Sequence, residues 1–160
     1  MVDFRSIWLE RFDPPLWHAA VTAGLIPPED WPLLAQQALE RGHDGKVIRS
    51  IAGLSRPTKS DLPSLENFFS ELGSCPVSVH ESGLHTARVI ARGICAGRIE
   101  PYEGANYIWR RIFYAAGEPE ELLSFVGLAS EYEDRLDYRT DIASQIKEVA
   151  AELASGEVHA

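Results

Sequence analysis

The chain is short of several things that define common protein classes. Its 160 residues include only two cysteines, Cys75 and Cys95, too few for a disulfide-stapled scaffold. No apolar run approaches the roughly 18 residues that a membrane span needs. The most apolar long window, 84–99, is broken by Arg88, Arg92 and Arg98. The opening decapeptide, 1–10, lacks the basic head and apolar stretch of a secretory leader, so a cytoplasmic location is expected. Positive charge is scarce: 15 Lys and Arg face 24 Asp and Glu, leaving a net charge of -9. That balance disfavours a phosphate-backbone ligand, and no helix-turn-helix, RNA-recognition or zinc-finger pattern offsets it. No Gly-, Ser- or Pro-rich linker divides the sequence.

What is present reads as one ordinary helical domain. A hydrophobic content of 45% with 9% aromatics excludes intrinsic disorder. A chain of this length buries about two-thirds of its unfolded surface and needs neither metal nor disulfide to fold. One theme recurs along it: a capping residue or proline, an apolar stripe at helical spacing, then glycine. Asp13-Pro14-Pro15 opens a segment that closes at Gly24. Pro27 and Pro28 open one striped by Trp31, Leu34, Ala35, Ala38 and Leu39. Asp44 is expected to cap a short helix with Ile48 and Ile51, and Ser60 one with Leu65, Phe68 and Phe69. Glu81 or Ser82 is expected to start a helix ending at Gly97. Pro101 starts another, with Tyr102, Ala105, Trp109, Ile112 and Phe113 inward. Pro119 leads into Leu122, Phe125, Val126, Ala129 and Tyr132. The last helix, from Asp137 to about Leu153, repeats Tyr138, Ile142, Ile146, Val149 and Leu153. The expectation is an all-α, single-domain bundle of about eight short-to-medium helices in antiparallel hairpins, spanning 1–154, with 155–160 as a frayed tail. Ahead of it, Phe4, Ile7, Trp8 and Phe12 form an apolar arm expected to pack back into the core. The one extended candidate is Cys75–Val79.

Charge is unevenly placed. Between Glu118 and Glu157 stand eleven carboxylates against Arg135, Arg139 and Lys147, a local surplus of eight negative charges. Such a surface repels nucleic acid and attracts basic proteins. Within it, Glu131, Glu133, Asp134, Asp137 and Asp141 are the candidate partner-binding residues. Arginines 88, 92, 98, 110 and 111 interleave with Tyr107, Trp109 and Tyr114, and are expected to pair with the acidic helices.

Catalytic signatures are sparse. His80-Glu81-Ser82-Gly83-Leu84-His85 resembles a zinc-peptidase helix, but its histidines are five apart, about 140° around a helix, so one face cannot offer both to a metal. Gly83 is also expected to weaken helix there. Cys75 with His80 and His85 leaves a loop-borne metal site, or with Glu81 a small-ligand enzyme, as an alternative reading. There is no Gly-x-Ser-x-Gly elbow and no phosphate-binding glycine loop. His18, beside Trp17, reads as a half-buried packing residue.

Two runs carry a family likeness: Ala38-Leu39-Glu40-Arg41-Gly42-His43-Asp44 with Ile48-Arg49-Ser50-Ile51-Ala52-Gly53-Leu54, and 97–105 with Ile108-Trp109. Together, over about a quarter of the chain, they resemble small, uncharacterised bacterial all-helical proteins of the immunity type, which bind toxins. The resemblance implies a helical partner-binding protein and carries no catalytic residue. The functional expectation is a non-catalytic protein-binding domain for a basic partner, with no cofactor. Self-association as a structural domain is a further alternative.

Overall fold

The computed structural model describes residues 2–156. Among them the fold is all-α, with nine α-helices, several single-turn 3-10 segments, and no strand. The helices gather into two compact units. One spans Asp3–Val77; the other begins at Ser78 and includes Val2.

The first unit holds α1 (Phe4–Leu9), α2 (Pro14–Thr22), α3 (Trp31–Glu40), α4 (Lys46–Ala52) and α5 (Leu62–Glu71). Asp13 caps α2 as its sequence context requires, its carboxylate accepting from the Leu16 N–H at 3.2 Å. The apolar arm is α1, and its Trp8 is buried with Trp17, Leu34, Ile51, Leu65, Phe68 and Phe69. α3 packs on α4, and α4 on α5.

Two caps differ from the sequence expectation. Asp44 does not cap α4 but pairs with Arg49 at 3.2 Å. The N-cap is Gly45. The first-turn donors of Val47 and Ile48, which have no partner within the helix, are met by the Glu71 carboxylate at 3.2 and 3.1 Å, reaching back from the end of α5. A side chain at position 45 would collide with that carboxylate, so glycine is what allows the long-range cap. Ser60 likewise yields to Thr58, which forms a reciprocal capping box with Asp61 over a 3-10 turn leading into α5.

The second unit holds α6 (Val79–Cys95), α7 (Pro101–Tyr107), α8 (Leu123–Asp134) and α9 (Arg139–Ser155). α6 packs on α9, α7 on α8, and α8 on α9. α6 starts earlier than expected, because Ser78 accepts from the Glu81 N–H and closes the first turn. Val79 is therefore its first helical residue, not the end of an extended run. α6 runs unbroken through Gly83, where a Cβ would overlap the side chain of Ala116, so the glycine hydrogen lets the two segments pack closely. α7 continues as a π-helix over Ile108–Phe113. α9 begins two residues later than Asp137, after a 3-10 turn at Leu136–Tyr138. Ile142, Ile146, Ala150 and Leu153 are its buried face. Of the expected tail, Ser155 still ends α9, and residues 157–160, with Glu157 and His159, lie outside the described residues.

Candidate docking surface

Polar side chains are arranged differently in the two units. In the first, Asp30 and His18 are buried and bonded to partners that reach the surface. Asp30, 2% exposed, receives a two-pronged hydrogen bond from Arg5, Nε to Oδ2 at 2.9 Å and Nη2 to Oδ1 at 2.6 Å. That contact, through its hydrogen bond and then its charge, raises the Arg5 guanidinium further above its ordinary value. His18 is fully buried rather than half-buried. Its ring stacks on Phe69 with centroids 4.3 Å apart. Nδ1 lies 2.9 Å from Ser74 Oγ, and Nε2 lies 2.9 Å from Glu66 Oε2.

A serine, an imidazole and a carboxylate in series have the connectivity of a nucleophile relay. The surroundings oppose that chemistry. Ser74 follows the C-terminal end of α5, where helix carbonyls would repel a developing oxyanion. The Ser74 N–H is already donated to the Phe69 carbonyl at 2.9 Å. The trio is a clasp joining α2, α5 and the segment after it.

In the second unit a comparable set of groups lies on the surface. The Tyr102 ring stacks on Tyr132, centroids 4.5 Å apart. The Tyr102 hydroxyl donates to Glu133 at 2.7 Å. Burial first, then this bond and the carboxylate charge, raise the hydroxyl above the ordinary tyrosine value. Glu133 also accepts from Arg110 at 3.5 Å. Arg110 lies over the Trp109 ring, 4.0 Å from its centroid, and its Nε donates to Asn106 at 3.0 Å. The Trp109 Nε1–H donates to Tyr114 at 3.3 Å. At the other end, Arg139 lies over Tyr132 at 4.7 Å and donates to its carbonyl at 2.9 Å. Eight side chains, reaching from Tyr114 at one end to Arg139 at the other, therefore form one continuous network.

The π-helix explains part of this placement. An i to i+5 pattern adds a residue to the turn, so Trp109 stands over Tyr114 while Ile108, Ile112 and Phe113 are buried. Trp109 was expected in the core on an uninterrupted α-helical period; it is instead half-buried at the surface. Tyr138 was also expected inward. It falls in the 3-10 turn before α9 and is 54% exposed, with Leu136 at 68%. Arg135 covers the Tyr138 ring at 5.2 Å.

The five expected partner-binding residues all lie around this network. Glu131, Glu133 and Asp134 end α8, Asp137 is in the turn, and Asp141 is in the first turn of α9; all are exposed. Only Glu133 is built into the network. The residues missed were the aromatics and Arg139. Their signal was present in the alternation of Arg110 and Arg111 with Trp109 and Tyr114. The alternative set fares differently. His80 pairs with Glu121 at 3.4 Å, Cys75 is an exposed thiol, and His85 is a half-buried residue of α6. Among the described residues no three His, Cys, Asp or Glu side chains gather as a metal site requires. No helix among them is long and apolar enough to cross a membrane.

Comparison of the chain with protein-family models, with curated proteins and with solved structures finds no match.

Proposed function

We infer that the chain is a protein-binding module whose C-terminal unit presents a pre-ordered aromatic and acidic surface to a basic partner. One observation carries this reading: the network from Tyr114 to Arg139, set among exposed carboxylates. Tyrosine, tryptophan and arginine are the side chains that concentrate binding energy in protein interfaces. Here stacking and hydrogen bonds already hold them, so little rotamer entropy is left to lose on binding. The flanking Glu131, Asp134, Asp137 and Asp141 add the field that steers a cationic partner and fixes its register. The sharpest form of the reading is an immunity-like cytoplasmic protein that covers a basic toxin or enzyme.

Capture of the tagged chain's partners from host lysate, identified by mass spectrometry, tests it. The expected result is a stoichiometric basic protein, released by salt. A variant with Glu131→Gln, Asp134→Asn and Asp141→Asn should bind more weakly and with a flatter salt dependence. Retention unchanged by those substitutions and by salt would refute the reading.

A further inference from the structure

The first unit carries the opposite charge pattern within a short stretch. Arg41, Lys46, Arg49, Arg56 and Lys59 fall between positions 41 and 59, and the one carboxylate among them is Asp44. In the structure the Glu71 carboxylate bonds the Val47 and Ile48 N–H groups and Asp61 bonds the Thr58 N–H, so with Asp44 five cations face three anions, a local surplus of two. All five cations are exposed. They account for five of the seven Lys and Arg residues in 3–77, so the segregation is as marked as that of the acidic surface. Around the α8–α9 connection, Glu131, Glu133, Asp134, Asp137 and Asp141 face Arg135, Arg139 and the Arg110 that bonds Glu133, a surplus of two negative charges. Leu136 and Tyr138 stand exposed among them as an apolar centre.

We propose that one occupant of the docking surface is the basic 41–59 segment of a second copy of this chain. The inference rests on the docking reading above and names a partner for the same surface. The net charge of -9 does not oppose it at contact. Salt screens beyond about 8 Å at physiological ionic strength, so the local pattern decides the encounter rather than the total. The two surfaces differ, so the contact is heterologous. Such contacts leave one free surface at each end, and assembly proceeds to a ring or an open chain.

The test is sedimentation equilibrium of the full chain at about 0.05 M and about 0.5 M salt, where screening lengths differ roughly threefold. At low salt the mean mass should exceed the 17.8 kDa of the monomer, and it should return to that value at high salt. Two variants separate the surfaces. Glu131→Lys with Asp134→Lys alters the acidic side, at the end of a helix where cations suit the dipole; Arg56→Glu with Lys59→Glu alters the basic side, in the loop ahead of α5 and the 3-10 turn that leads into it. Each alone should stay monomeric. An equimolar mixture should form a one-to-one dimer of twice the chain mass, because each variant retains the surface the other lacks. A wild-type chain that is monomeric at both salts overturns the proposal, as does a mixture that stays monomeric. Either result leaves the capture of a basic foreign partner to decide the docking reading separately.

Discussion

The two units use the same kinds of side chain for opposite ends. Around His18 an aromatic stack is buried, the carboxylate and hydroxyl bonded to the ring reach the surface in part, and the product is a fixed helix arrangement. Around Tyr132 an aromatic stack and charged hydrogen bonds are left outside, and the product is a rigid surface. The physics differs accordingly. A buried polar group is costly once its partner is gone, because water cannot replace the lost bond. A surface group loses a bond of a few tenths of a kcal/mol and regains water. Architecture is therefore expected to be sensitive in the first unit, and recognition in the second.

Substitutions can break this contrast. The largest effect is expected from Phe69→Ala, which removes a fully buried ring and the face on which His18 stacks. It should cost about 3–5 kcal/mol in a denaturant titration. The matching substitution in the other unit, Tyr132→Ala, should leave the chain folded by circular dichroism while weakening partner capture. Equal loss of stability from both would erase the distinction.

Next comes Gly83→Ala. The added methyl meets Ala116, and overpacking of this kind costs about 1–3 kcal/mol. The helix-propensity gain of alanine over glycine, about 1 kcal/mol, works in the other direction, so a net stabilisation in thermal unfolding would show that the two elements can separate. His18→Leu sharpens the comparison further. It keeps an apolar filling but leaves Ser74 and Glu66 without the ring, and should cost about 1–3 kcal/mol. Both partners reach solvent in part, which favours the lower end.

The smallest effect is expected from Tyr102→Phe, below about 1 kcal/mol at neutral pH, but it carries a pH signature. The folded state raises the Tyr102 hydroxyl, so it holds that proton more tightly than the unfolded chain. Its contribution is complete below the ordinary tyrosine value of about 10 and is lost as pH rises past that value through the folded one. Wild-type stability should fall more steeply than that of the variant in this alkaline range. Parallel curves would remove Tyr102 from the network's energetics.

Most of the architecture could be read from apolar spacing and punctuation. Pro101, Gly24 and Gly73 mark helix ends because their effects act within one turn. The exposed carboxylates at the α8–α9 connection were legible as composition. What escaped depended on groups distant in sequence or on a change of helical period. Nothing near Gly45 shows that Glu71 will cap α4. The burial of His18 depends on Glu66 and Ser74, 48 and 56 residues away. Trp109 looked like core because a constant 3.6-residue period placed it there, and the π-helix changed that period just where the surface network begins.

The reach of Glu71 to the start of α4 bears on the order of assembly. A helix of seven residues is too short to persist alone in water, since nucleation is costly and propagation must repay it. Its first turn is completed by a carboxylate that arrives only when the last turn of α5 is in place. α4 and the end of α5 therefore form and melt as one cooperative step. In hydrogen exchange, the Val47 and Ile48 amides should lose protection together with the final turn of α5, and Glu71→Ala should release both at once.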